Sequence, residues 1–166
     1  MLAATSFNSE LTLPGIFDFT AGSLVGNVVE FAGGGPTSGN LAQTRLIQVD
    51  QPIEFRFKWQ VSGIFATLLN TNSIWEIELF FEQYGPGEIS LGTTGKTQVI
   101  YGTGTSGANT MSFPGSASTT ISIPAGTLPV CVCDVVAVIR LLQPNGITPC
   151  FLAAFAEYGK IQFYKD

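Results

Sequence analysis

Carboxylates and thiols are the side chains of this sequence whose type and spacing suggest chemistry, and histidine is absent altogether. Without an imidazole there is no Ser-His-Asp triad, no Cys-His dyad, no imidazole zinc site and no general base of the commonest kind. Glu54, Glu76, Glu78 and Glu82 form the main acidic concentration. On a strand, Glu76 and Glu78 share one face about 7 Å apart, within the range of paired glycosidase carboxylates. Alternate charges on an outer strand face are also ordinary solvation, with Arg56 and Lys58 as the expected partners. No catalytic residue is assigned on this basis. In "CVC" at 131–133, the two thiols point the same way but sit about 7 Å apart, too far to bridge easily. Cys150 is expected to pair near residue 141, away from both, leaving three free and mostly buried thiols. The alternative is one disulfide from Cys150 in a different register.

The remaining motifs exclude more than they suggest. A Cys-only metal site needs four thiolates, and the chain has three cysteines. Asp stands only at 18, 50, 134 and 166, so no Asp-rich calcium loop exists. The stretch "GTTGKT" at 92–97 looks like the end of a phosphate loop. That motif needs a glycine five residues before Gly95, where Ser90 stands, and a helix afterwards, where a strand is expected. The reading is therefore a non-enzyme without cofactor or metal. Asp134 and Arg140 fall in an otherwise apolar strand with the same side-chain parity, so each should find a partner or reach the sheet end.

A chain of 166 residues suffices for one domain with a sizeable core. Charged residues make up only 11%, far below the usual quarter or so, which leaves the surface poorly defended against self-association. The net charge of −5 and the lack of a basic stripe exclude nucleic acid as a partner and disfavour anionic membranes. No apolar run is long enough to span a bilayer as a helix. The opening "MLAATSFNSELTLPGI" has neither a basic start nor a continuous apolar core. No secretory signal is expected, and the cytoplasm is favoured unless the chain is already processed.

Helical periodicity is almost absent, while strand signals recur between turns. Strands are expected at 9–13 with 16–20, 24–31, 45–49, 53–62, 74–83, 96–101, 118–123, 130–142 and 150–164. The separators "PG" at 14–15, "GGGP" at 33–36, "PAGT" at 124–127 and "PNG" at 144–146 carry turn chemistry. "IEFRFKWQV" at 53–61 places Ile53, Phe55, Phe57, Trp59 and Val61 on one face. Trp75, Ile77, Leu79 and Phe81 do the same on a second strand, and two such faces imply an antiparallel β-sandwich.

From residue 50 onward the order "DQPIEFRFKWQVSG", "WEIELFFEQ" and "STTISIPAGTLPVCVCDVVAVIRLL" resembles an immunoglobulin-like or fibronectin type III-like domain over about two thirds of the chain. The resemblance implies a corner tyrosine where Cys131 or Cys133 stands, so that hydrogen bond should be missing. The fold class is thus all-β, an immunoglobulin-like antiparallel sandwich over 45–166. An N-terminal β-extension and Gly-rich loop occupy 1–44. The extension either completes the sandwich as edge strands or forms an exchanged arm of Leu11, Leu13, Ile16, Phe17 and Phe19, added to the sheet edge of a second copy.

The function expected is a structural protein that assembles with itself into an oligomer or fibre through edge strands or this arm. The alternative is a carbohydrate-binding or adhesion module that stacks a glycan on exposed aromatics, with Tyr84 and Tyr101 as candidates.

Overall fold

The computed structural model describes residues 5–6, 8–11, 13, 15–20, 23–32, 35–36, 46–85 and 87–166. The described chain is all-β, with strands in two facing sheets and two short 3₁₀ turns, Gly92–Gly95 and Tyr101–Thr103. The early strands are β1 (Thr5–Ser6), β2 (Asn8–Leu11), β3 (Asp18–Phe19), β4 (Val25–Ala32), β5 (Gly35–Pro36) and β6 (Leu46–Gln48). They are followed by β7 (Ile53–Ser62), β8 (Ile74–Gln83), β9 (Glu88–Ile89), β10 (Lys96–Ile100) and β11 (Thr105–Gly107). The last are β12 (Thr110–Phe113), β13 (Thr120–Ile123), β14 (Cys131–Leu142) and β15 (Pro149–Tyr164).

The first sheet is organised around β7. Antiparallel β4 and β3 pair along one side of it, and β13 and β12 along the other. β1 and β5 extend the sheet beyond β4, and β11 beyond β12. The second sheet runs β10–β8–β14–β15–β2, with β9 beside β8 and β6 parallel to the end of β15. Its centre is the antiparallel pair β14–β15, whose register shifts between Val135 and Val136 around Gly159 (φ +68°).

Alternation of side chains explains why these strands build two layers. Ile53, Phe55, Phe57, Trp59 and Val61 of β7 are all buried, and their polar neighbours are not. Trp75, Ile77, Leu79 and Phe81 of β8 face them from the second sheet. Rings cross the interface: Trp59 and Trp75 meet edge to face at 5.6 Å and Phe55 and Phe81 at 6.1 Å, while within the first sheet Trp59 stacks on Phe113 of β12 at 4.8 Å. Such contacts add to the large apolar area the rings bury.

The N-terminal segment folds onto this core within the same chain. Phe17 is fully buried with its ring 6.2 Å from Tyr101, and Phe19 lies 5.6 Å from Trp75. A tight turn follows Leu13, whose carbonyl accepts from the Ile16 amide at 2.9 Å, and Gly15 takes φ +75°. That left-handed value at the third position is what glycine supplies without strain. Leu13 and Ile16 are exposed, and β2 carries Leu11 opposite Ala153 of β15. The Leu11 side chain, and the Gly-rich stretch apart from Gly35–Pro36, lie outside the described residues.

The expected strands at 53–62 and 74–83 coincide with β7 and β8, and 130–142 is β14 within one residue. Residues 150–158, helical by local propensity, are part of β15, because pairing along both β14 and β2 outweighs propensity. The short strands β1, β5, β9, β11 and β12 carry too few residues to show a period.

Candidate functional site

The outward face of the second sheet carries the densest chemistry. β8, β14 and β15 each send alternate side chains outward, and the antiparallel register sets them in rows. Glu76 of β8 stands opposite Arg140 of β14 and Gln98 of β10, and Glu78 stands opposite Val138 and Lys96. Arg140 donates through Nε to Glu76 Oε1 at 2.9 Å and through Nη2 to Glu78 Oε2 at 3.3 Å, while Gln98 donates to Glu76 Oε2 at 2.9 Å. Lys96 Nζ pairs with Glu78 Oε1 at 2.7 Å.

Burial pushes the Glu76 carboxyl up, but the hydrogen bonds from Arg140 and Gln98 and the charges of Arg140 and Lys96 outweigh it. Its pKa is therefore held below the ordinary carboxylate value. A carboxylate gripped on both oxygens is a poor general acid, so the glycosidase arrangement open to Glu76 and Glu78 in sequence is taken up by a structural ion network. The partners differ from those expected. Arg56 bonds Glu54 two residues away on the other sheet, through Nε at 2.8 Å, and Arg140 serves β8 instead.

Toward the other end of the same face, Asp134 accepts from the Tyr84 hydroxyl at 2.7 Å, and Lys160 lies over the Tyr84 ring at 4.4 Å. The Tyr84 hydroxyl, then its charge and that of Asp134, raise the pKa of Lys160. Asp134 and Arg140 thus both acquire partners, as their place in an apolar strand requires. Between these groups opens a cleft of about 490 Å³, floored by Phe80, Ile89, Leu91 and Val136 and walled by Glu82 and Glu88. Asp134, Glu82 and Glu88 stand side by side across three strands. Among the described residues, no three carboxylates or thiols converge as a metal site.

The two tyrosines singled out for stacking are not brought together. Tyr84 is exposed, but Lys160 covers its ring. Tyr101 is a correction: expected at the surface, it is only 1% exposed and donates its hydroxyl to Ala66 O at 2.7 Å. It follows an edge strand whose last residue, Ile100, is exposed, and a 3₁₀ turn swings the next ring inward.

All three cysteines are free thiols. Cys131 and Cys133 approach to 2.9 Å between sulfurs, closer than strand spacing alone implies, because the two side chains lean together. Burial, followed by the contact with Cys131 and the charge of Asp134, pushes the Cys133 thiol up to about 12. Such a thiol is inert rather than nucleophilic at neutral pH.

Apolar surface missed in the sequence lies at one end of the sandwich. Ile64, Phe65 and Leu68 of the β7–β8 connection are exposed, as is Ile147 in the turn before β15. The signal available was the lack of any charge between Lys58 and Glu76 and between Arg140 and Glu157.

No protein-family model and no curated protein matches the chain.

Proposed function

We propose that the protein is a non-catalytic structural subunit that assembles with copies of itself through its sheet edges and N-terminal arm. The observation that supports this most is the outer edge of β15. There β2 pairs only with Ala153–Phe155 and β6 only with Gln162–Tyr164. Between them the edge has no strand partner among the described residues. A strand edge with free backbone groups accepts a further strand, and a short arm held by few pairs can be exchanged for that of a neighbour. The bulge at Gly159 limits such an addition to a few residues at a time.

The sandwich is proposed to be of immunoglobulin-like kind. Supporting this, β7 and β13 share one sheet while β10, β8, β14 and β15 run in order in the other. Immunoglobulin-type domains divide their strands between sheets in this way. A glycan-stacking module has less support, since of its two candidate tyrosines one is buried and the other already covered by Lys160.

The test is removal of residues 1–12, which takes away β1 and β2 but leaves Phe17 in the core. The truncated chain should keep its circular dichroism spectrum and lose particles larger than a dimer in light scattering. Unchanged large particles would rule out the arm. A full-length chain that stays at 17.6 kDa at every concentration would rule out self-assembly.

A further inference from the structure

The two ends of the sandwich differ in charge. The end reached by the close of β7 and the start of β8 is built from segments 13–20, 62–75, 100–110 and 141–149. Among their described residues Asp18 is the only charged one. The connections interlock: the Phe65 amide donates to Ile16 O at 3.0 Å, and the Gly63 amide to Asn109 O at 3.0 Å. The Tyr101 and Gly102 amides donate to Ser73 O and Thr71 O at 2.7 and 2.8 Å. On this frame Leu13, Ile16, Ile64, Phe65 and Leu68 stand out together, with Leu68 at 72% exposure. Ile147, at 81%, projects from the turn beside Ile74. Around them lie the exposed, uncharged side chains of Asn70, Asn72, Asn109 and Asn145. An apolar centre with a polar, uncharged rim is the anatomy of a protein interface.

The opposite end carries Asp50, Glu82, Glu88, Asp134, Lys165 and Asp166. Head-to-tail stacking of copies would press those charges onto an apolar centre that offers them no counter-charge, with only the amide rim to hydrogen-bond them. A membrane surface fits poorly as well. Bilayer-docking faces combine apolar residues with Lys, Arg and interfacial aromatics, whereas among the described residues of these segments none is basic and, Phe65 apart, the large aromatics Trp59, Trp75 and Tyr101 are buried. Like ends match: apolar centre meets apolar centre, amide rim meets amide rim, and two chains of charge −5 keep their charged ends farthest apart.

We infer that this end, whose single charge among the described residues of its segments is Asp18, is a self-complementary, two-fold contact through which two copies of the chain pair end to end. The inference rests on the self-assembly reading and specifies a surface for it separate from the sheet edges. Because a two-fold contact is closed, it yields a dimer and stops, leaving any larger growth to the edges.

The experiment is sedimentation equilibrium of four chains from micromolar to millimolar concentration: full length, the chain lacking residues 1–12, Ile64→Glu/Leu68→Glu, and Ile147→Glu. Each fold is checked by circular dichroism, and the substituted positions are exposed enough to accept a charge. The full-length and truncated chains should both dimerise. Both substituted chains should dimerise more weakly, the double variant by at least about 100-fold, because its charges meet their own copies across the axis. Dimerisation unchanged in both substituted chains would overturn the end contact while leaving self-assembly standing. A full-length monomer at every concentration would overturn both. Flotation of a monomeric full-length chain with phosphatidylcholine vesicles, lost in the double variant, would assign the end to lipid and overturn the dimer.

Discussion

Trp75 and Glu76 are neighbours on β8, and both are nearly inaccessible, yet they are held by opposite means. The Trp75 ring is fully buried between the sheets, against Trp59, Phe19 and Phe113. Its indole N–H has no hydrogen-bond partner among the described residues. Glu76, 8% exposed on the outward face, is gripped by Arg140 and Gln98 through both carboxylate oxygens. The inner face is stabilised by area and shape, at roughly 25 cal/mol per Å² of apolar surface, and tolerates a polar atom left unpaired. The outer face works by charge complementarity, partly screened by water because the Arg140 side chain is 39% exposed. Packing and pairing should therefore fail differently when they are cut.

The largest effect is expected on the inner face. Trp75→Ala should cost about 3–5 kcal/mol in urea unfolding, as large aromatic truncations in packed cores do. A loss under about 1 kcal/mol would mean the rings between the sheets are not close-packed. Tyr101→Ala should fall in the same range, since it also strips a hydrogen bond from Ala66 O. Tyr84→Ala, at an exposed ring, should cost well under half as much. Equal costs for the two tyrosines would erase the contrast between the faces.

Arg140→Met tests the outer face, with an expected loss of about 1–2 kcal/mol at pH 7. Its pH dependence is the sharper readout. The pKa of Glu76 in the folded chain lies below the ordinary carboxylate value. Its contribution is therefore present above about pH 4.5 and is lost as pH falls through the folded value. Without Arg140, its hydrogen bond and its charge no longer oppose burial and the folded pKa rises, so acid unfolding should begin at higher pH than in the parent chain. An unshifted acid transition would show that Arg140 does not govern Glu76.

The smallest expected effects probe the exceptions on each side. Tyr158 is buried, its hydroxyl has no hydrogen-bond partner among the described residues, and it packs so closely over Gly26 that a Cβ there would collide with it. Tyr158→Phe should thus be stabilising by up to about 1 kcal/mol, because it removes an unpaired buried hydroxyl. A marked loss would mean the hydroxyl is satisfied after all. Arg56→Ala, which breaks an exposed pair with Glu54, should stay within about 0.5 kcal/mol in a thermal melt.

Sequence alternation carried most of the inner face. β7, β8 and β14 were legible because long strands with one buried face must alternate, and the buried status of Trp59 and Trp75 followed from parity. The outer face was half legible. Glu76, Glu78, Asp134 and Arg140 could be placed on strands and faces, but not paired, since pairing depends on which strand lies beside which. Arg140 meets Glu76 only because β14 lies antiparallel against β8 with Arg140 opposite Glu76, a relation between residues 64 apart in the chain. The cleft was not legible at all, because β9, two residues long, brings Glu88 and Ile89 back against β8.

Taken alone, the amino-acid order determined that the chain is all-β, that its strands bury alternate residues, and that it holds no imidazole. Those properties are local, set by period, composition and turn residues. Tertiary structure decided that Phe17 closes the core of its own chain, that Tyr101 turns inward, and that the uncharged connections gather at one end of the sandwich. Such outcomes belong to strand order and register, which bring distant residues together and which no local pattern encodes.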